Sequence, residues 1–406
     1  MIAPDQQAVL DWIDSQNEHM IFLTESWSRI NSGSYNIDGV RAMRVALTDH
    51  FSWLEGEQEV VPMSPLVTVD AKGQEQAIPI AEALTIRKRP EAPIQVLLVG
   101  HMDTVYGLDH PFQQPNFVSE TILNGPGVAD LKGGLVVMLK ALEAFERSPY
   151  ADRLGWQVVL NPDEEIGSIS SDPLLKKACE GKRLGLIYEP ALADGSLAGE
   201  RKGSGNFSMV VRGRSAHAGR NPQDGRNAIV AAAELAQALF ALNGKRPGVT
   251  LNPAKIEGGS AMNVVPDLAV LRFNVRIQQA SDEAWIISEM DRLIDALGRR
   301  DGFSATRHGF FTRRPKPMSP ENKQVFDLVL SCGRDLGLEI GIKPSGGCCD
   351  GNNLWQHGLP NVDTLGVRGA NIHSSDEIVY LDSLAERAKL SALLLMRLAA
   401  GENLPA

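Results

Sequence analysis

Four apolar runs in this chain each lead into a residue able to hold a metal ion, and that pattern restricts the fold more than any other feature. Val96-Leu97-Leu98-Val99-Gly100 precedes His101-Met102-Asp103, and Gly125-Pro126-Gly127-Val128-Ala129 precedes Asp130. Trp156-Gln157-Val158-Val159-Leu160 leads through Asn161-Pro162-Asp163 to Glu164-Glu165, and Leu184-Gly185-Leu186-Ile187-Tyr188 precedes Glu189. Three of these runs read as β-strands whose last residue or following loop presents His or Glu. An open α/β sheet gathers its ligands in the crevice beyond the carboxyl ends of its strands. One such strand end carries little weight. Several of them converging, with His373 far downstream, describe a site for two metal ions.

At 406 residues the chain exceeds one ordinary domain, so two are expected. Its first 200 residues alternate strand-like runs with helical patterns, as βαβ units do. Gly133-Gly134 opens the helical stretch Leu135 to Phe145. The pattern changes near Gly203-Ser204-Gly205. From there the chain reads as strand Phe207–Arg212, helix Arg226–Leu242 and strands Thr250–Glu257 and Leu268–Ile277. Helix Asp282–Leu297 and strand Ser304–Thr312 complete a β-α-β-β-α-β set, the order of a ferredoxin-like unit. Arg313-Arg314-Pro315-Lys316-Pro317 reads as the return linker. After it come a helix (Asn322–Leu336), a Gly-rich loop (Ser345–Gly351), a strand (Asn361–Gly366), the His373 loop and a last helix (Leu381–Ala399). The expected fold is therefore a discontinuous α/β catalytic domain with a mixed central sheet, residues 1–203 and 316–406. An α+β lid and dimerisation domain, residues 204–315, is inserted in it.

A net charge of −10 argues against a nucleic-acid binder, which would show a basic face. No run of about 18 apolar residues exists to span a membrane. The acidic, amphipathic N-terminal stretch is not a signal peptide. Cys179, Cys332, Cys348 and Cys349 have no zinc-knuckle spacing, and a bridge between the adjacent pair would be strained. Reduced thiols in a cytoplasmic enzyme are the expectation.

Taken singly, the ligand-type residues are weak signals. His-x-Asp is common, although an Asp two residues on can accept the second ring N–H of a metal-bound His and fix its tautomer. Asp130 could merely cap a helix, but the glycines of Gly127-Val128-Ala129-Asp130-Leu131-Lys132-Gly133-Gly134 would let its carboxylate approach a metal closely. Glu164-Glu165 says more. Adjacent carboxylates at the end of an apolar strand repel unless a cation or shared proton relieves them, and one can bind metal while its neighbour acts as general base. Glu189 ends a buried strand and needs a partner. Two histidines and three carboxylates suit a pair of Zn²⁺-like ions bridged by one carboxylate.

With these motifs in this order, nearly end to end, the chain resembles the co-catalytic zinc amidohydrolases: acetylornithine deacetylase, succinyl-diaminopimelate desuccinylase, aminoacylase and glutamate carboxypeptidase. The resemblance implies that His101, Asp130 and Glu189 hold one ion, and that Asp130, as bridge, holds the other with Glu165 and His373. It makes Glu164 the general base and Asp103 the partner of His101, and it implies a cis peptide at Asp130–Leu131. His217, in Gly213-Arg214-Ser215-Ala216-His217-Ala218-Gly219, becomes an oxyanion-stabilising donor delivered into the neighbouring subunit of a homodimer. Asn263 becomes a substrate contact and Arg276 the grip on a substrate carboxylate, a fit for its guanidinium fork. Ser345, Gly346 and Gly347 belong to a substrate loop whose amides can bind a carboxylate, although Cys348 and Cys349 replace the Gly and Ser or Thr usual there.

The implied activity is hydrolysis of the amide bond of an N-acyl amino acid or dipeptide with a free carboxylate. Two divalent ions would serve it, zinc first and cobalt or manganese as substitutes. Glu189, Asn31-Ser32-Gly33-Ser34-Tyr35 and His373-Ser374 resemble the glutamate carboxypeptidase branch most. A deacylase of the acetylornithine deacetylase or desuccinylase type is the alternative. A phosphoesterase lacks a phosphate-cradling helix start near this site, and a non-catalytic binding protein would not need every metal and base position filled.

Overall fold

The computed structural model describes residues 2–401. The run ending at His101 forms the strand Ile94–His101 in the interior of a six-stranded sheet. Across the sheet the order is Glu57–Val61, Ala83–Lys88, Leu154–Asn161, Ile94–His101, Leu184–Ile187 and Asn361–Val362. The last four strands run parallel, and Ala83–Lys88 is antiparallel to both its neighbours. A parallel centre is stable only when both faces are covered, and the side chains alternate accordingly. Val96 and Leu98 point into a core built with Gly134–Glu146, Asp382–Ala400 and the N-terminal helices Pro4–Ser15 and Asn17–Ser28. Leu97 and Val99 point to the other face, where Leu175 of Asp172–Cys179 and Leu354 of Asp350–Gln356 meet them.

Gly203–Arg212, Ala228–Phe240, Thr250–Gly258, Leu268–Ile277, Ser281–Gly298 and Ser304–Arg313 follow in the β-α-β-β-α-β order read from the sequence. Their strands form one antiparallel sheet in the ferredoxin-like order Thr250–Gly258, Leu268–Ile277, Gly203–Arg212, Ser304–Arg313. Phe207, Met209, Val211, Leu271, Phe273 and Val275 bury one face of it in a core separate from that of the first sheet. The architecture is thus a mixed α/β sheet layer with an inserted α+β unit. Among the described residues no helix is long and apolar enough to cross a membrane.

One local expectation is corrected. The strand expected over Asn361–Gly366 stops at Val362. Beyond it Asp363 turns its carboxylate onto Arg201 and Lys316, and Thr364 takes a φ of 68° while its hydroxyl accepts a bond from the Ala198 amide at 2.9 Å. The charged return segment is partly buried. Arg313 is 6% exposed and Lys316 is fully buried, because carboxylates of the larger layer receive both.

A small four-stranded sheet, unforeseen in the sequence, joins Gly369–Ala370, Ile378–Tyr380, Ile122–Asn124 and Asn116–Ser119. It brings the His373 loop against the segment that leads to Asp130.

Candidate metal centre

His101 is the last residue of its strand and is 1% exposed. Its Nδ1 lies 2.9 Å from the Asp103 carbonyl, which can only accept, so Nδ1 carries the proton and Nε2 faces Asp130 Oδ1 at 3.1 Å. The partner that orients His101 is therefore first the Asp103 backbone; the Asp103 carboxylate is farther, at 3.4 Å. That carboxylate has another task. It accepts from the Ser34 hydroxyl at 2.7 Å and from the Glu164 and Glu165 amides, each at 3.1 Å, and so ties the His101 strand end to the turn Glu164–Ile166.

Asp130 sits in a wide helical turn, Val128–Gly133, entered through Gly127 at φ 73°. The Asp130–Leu131 peptide is cis. The backbone here is held by Glu377, a fully buried carboxylate that accepts the amides of Gly127, Ala129 and Asp130 at 3.2, 2.9 and 3.1 Å. The Tyr106 hydroxyl donates to it at 2.7 Å. Gly134 then starts the long buried helix so close to the next strand that a Cβ would lie 2.1 Å from the Tyr188 carbonyl oxygen. That approach sets Asp130 beside Glu189.

The two oxygens of Asp130 face different imidazoles: Oδ1 meets His101 Nε2, and Oδ2 meets His373 Nε2 at 3.2 Å. His373, with φ 64° and a half-exposed side chain, also lies 3.3 Å from Glu165 Oε2. Glu189 Oε1 is 3.8 Å from His101 Nε2 and is buried with no hydrogen-bond partner of its own. Ligand-type atoms of His101, Asp130 and Glu165, and likewise of His101, Glu164 and Glu189, lie within 4.8 Å of one another.

The electrostatics show what this arrangement favours. Burial, then the charge of Asp130, pushes the Glu165 carboxyl up to about 8, and the same causes raise Glu189 well above the carboxylate range. Burial also raises Glu164, against the pull of the Arg313 guanidinium. Hydrogen bonds to Asp130 and Glu165 raise His373 to about 11. Burial opposes charge on His101, yet its bonds to Asp103 and Asp130 raise it, while the two histidines outweigh burial to hold Asp130 low. Protons thus gather where a small cation would relieve the same repulsion. An orphaned buried carboxylate oxygen and a donor set of imidazole nitrogens and carboxylate oxygens fit divalent metal ions.

The remaining sequence candidates lie at two places. Arg276 Nη1 contacts Cys348 Sγ at 3.1 Å, which brings it to the end of the Ser345-Gly346-Gly347 loop, where Ser345 Oγ accepts the Gly347 amide at 3.1 Å. His217 and Asn263 lie on the inserted unit, joined through the Ala218 amide and Asn263 carbonyl at 2.9 Å. Among the described residues no hydrogen bond links either of them to the metal-type cluster. Cys179, Cys348 and Cys349 are free thiols. A cleft of about 670 Å³ that includes Glu165 is lined by Tyr35, Val105, Leu108 and Ile166 with Asn36, Asp109 and His110, and none of its described lining residues is Lys or Arg.

Sequence reasoning missed Glu377, Tyr106, Ser34 and Arg313. Glu377 had a faint local signal, an acidic residue directly before the apolar Ile378-Val379; the others had none.

Comparison with known proteins agrees with this geometry. Residues 199–302 match the peptidase dimerisation domain. Carboxypeptidase G2 of Pseudomonas sp. (strain RS-16) is 29% identical over 312 residues, 76% of this chain and 74% of that protein. Succinyl-diaminopimelate desuccinylase 2 of Shewanella loihica is 27% identical over 343 residues, 76% of this chain and 86% of that one. The chain thus shares the peptidase dimerisation domain and is similar over most of its length to carboxypeptidase and desuccinylase relatives. It is accordingly a metal-dependent amide hydrolase. The fold agrees as well: an M20 family metallo-carboxypeptidase from Sulfolobus solfataricus superposes with a TM-score of 0.74 at 15% identity, covering 94% of this chain and 99% of that one.

Proposed function

We propose that this protein is a dinuclear amidohydrolase of the M20 type that releases an amino acid, C-terminal glutamate foremost, from an N-acyl amino acid or small peptide with a free carboxylate. The observation that carries the reading is the division of Asp130, one oxygen to His101 and the other to His373. In this reading His101, Asp130 and Glu189 hold one ion, and Asp130, Glu165 and His373 the other, with zinc as the first choice and cobalt or manganese as substitutes. When bound, the ions supply Lewis acidity toward the scissile carbonyl and lower the pKa of water.

The chain's own groups do the rest. Glu164 takes the proton as the water oxygen adds to the carbonyl carbon, and it returns that proton to the amine nitrogen as the C–N bond breaks. His217 donates to the oxyanion from a partner subunit, a contact of the kind worth about 2.7–4 kcal/mol elsewhere. Asn263 contacts the substrate. Arg276 takes the substrate carboxylate, helped by the amides of Ser345, Gly346 and Gly347. Residues 1–203 and 316–406 form the catalytic unit, and 204–315 the lid through which two copies pair. The acyl group then faces the cleft beside Glu165, whose mixed wall carries Asp109 but no Lys or Arg and so suits an uncharged acyl group better than a succinyl one.

Hydrolysis of a panel of N-acyl amino acids and dipeptides, after chelation and again after zinc is restored, tests the reading. Metal-dependent release of glutamate is the expected result. Turnover of acetylornithine or succinyl-diaminopimelate without glutamate release would sink the branch assignment, and turnover of phosphate esters alone would sink the class. Glu164→Ala should abolish turnover while two metals per chain remain by elemental analysis.

A further inference from the structure

Arg313 closes the strand Ser304–Arg313 of the inserted sheet, opposite Ser204, yet its side chain leaves that sheet entirely. The Nη2 nitrogen reaches Glu164 Oε1 at 2.7 Å, the Glu164 carbonyl at 3.0 Å and the Ser168 hydroxyl at 2.8 Å. Nε donates to Asn353 Oδ1 at 3.2 Å, and Asp350 Oδ1 stands 3.6 Å away. Asp350 is itself bound by Asn161 at 2.6 Å and by Ser168 at 2.5 Å, so this end of the guanidinium is fixed. Three residues on, the backbones of Lys316 and Arg201 pair at 3.0 and 2.9 Å, and both side chains hold Asp363. The two strands that join the units are thus clamped at 201 and 316, and Arg313 is the first side chain on the inserted side of the clamp to reach the metal-type cluster.

We infer that Arg313 is a positioning residue: it fixes the carboxylate of Glu164 and makes the orientation of that carboxylate depend on the orientation of the inserted sheet. Glu164 is also the nearest carboxylate to this buried guanidinium, with Asp350 farther off, so the bond neutralises Arg313 while the Ser168, Asn353 and Glu164 carbonyl contacts fix where the guanidinium sits. What the bond does is occupy Oε1 while the Glu164 carboxylate stays within 4.8 Å of a His101 ring nitrogen and a Glu189 oxygen. One carboxylate oxygen is anchored, and among the described residues no hydrogen bond holds the other. Because the anchor belongs to the inserted sheet, a rotation of that sheet about the clamp moves the anchor with it.

This inference rests on the reading of Glu164 as the base, and the test keeps the two apart. The metal-loaded variants Arg313→Met and Arg313→Lys are compared with the parent for kcat, KM and metal content, and for backbone amide exchange over residues 163–168. Arg313→Met should lower kcat about 100-fold, within the range ascribed to a positioned general base, with KM changed less than about threefold and two metals retained. Arg313→Lys should recover at least about tenfold of that loss. In a Glu164→Gln background, Arg313→Met should change the residual rate less than about twofold, since residues acting as one unit do not add. Exchange over 163–168 should rise at least about tenfold in Arg313→Met and stay unchanged over 127–133, a readout independent of turnover. A kcat within about threefold of the parent, a loss that multiplies in the Glu164→Gln background, or unchanged exchange would each overturn the proposal. If the parent hydrolyses nothing, the function proposed above falls and exchange alone decides the positioning role.

Discussion

Replacing Asp363 by Asn should destabilise this protein far more than removing either cation that it binds. Arg201 grips Asp363 through Nε and Nη2 at 2.9 and 2.8 Å, and Lys316 Nζ adds a bond at 2.7 Å. Lys316 and Asp363 are fully buried and Arg201 nearly so. Burial opposes charge on Asp363, but Arg201 and Lys316 outweigh it and lower its carboxyl from 3.8 to about 2. At ~1.4 kcal/mol per pH unit, that preference for the ionised form contributes about 2–3 kcal/mol. Asn keeps the shape and leaves two buried cations without a counter-charge, a loss of about 3–5 kcal/mol. With a melting entropy of roughly 2.1 cal/mol/K per residue over the 406-residue chain, this is a fall of about 4–6 °C.

Arg201→Met and Lys316→Met each leave one neutralised pair and should melt above Asp363→Asn. The acid limb gives a second check. The folded carboxyl titrates lower than the unfolded one, so its stabilisation is complete above about pH 5 and fades as the pH falls through 4 toward 2. The gap between parent and Asp363→Asn should narrow over that range. Scanning calorimetry at pH 7 and at stepwise lower pH measures both effects. A variant melting within about 1 °C of the parent, or Lys316→Met melting below Asp363→Asn, would refute the reasoning.

Two further changes bear on the metal-type cluster. Glu377→Ala removes the acceptor of three amides in the Asp130 loop, and metal affinity by chelator competition should weaken about 10–100-fold, the usual effect of losing a group that orients a ligand; equal affinity would remove Glu377 from the account. Gly134→Ala puts a methyl 2.1 Å from the Tyr188 carbonyl oxygen, whereas at Gly107 a methyl meets nothing within 4 Å. The first should cost about 1–3 kcal/mol and part of the bound metal while Gly107→Ala leaves both unchanged, as melting and elemental analysis would show.

Much of the larger layer could be read from the chain because its signals are local. A strand buried on both faces is a short apolar run, and a ligand at its carboxyl end is the next polar residue, so His101 and Glu189 stood out. The inserted unit was equally plain, since six segments of clear strand or helix periodicity follow one another through it. What escaped notice depends on distant pairing. Arg313 meets Glu164 across 149 positions and Glu377 meets Asp130 across 247, and no periodicity reports such contacts.

The burial of Arg313 and Lys316 in the return linker was hidden for a related reason. Composition treats Arg and Lys beside Pro as solvent-facing, yet a cation is buried wherever a carboxylate is already waiting for it. Asp363, Asp350 and Glu164 were each visible as acids in or beside apolar segments. A buried acid and a charged crossover segment are each half of an ion pair, and a sequence holding both implies that the crossover passes through the site. On the proposed reading of Glu164, the segments that connect the two units support the base, and substitutions there should act on turnover before they act on the inserted sheet's own stability.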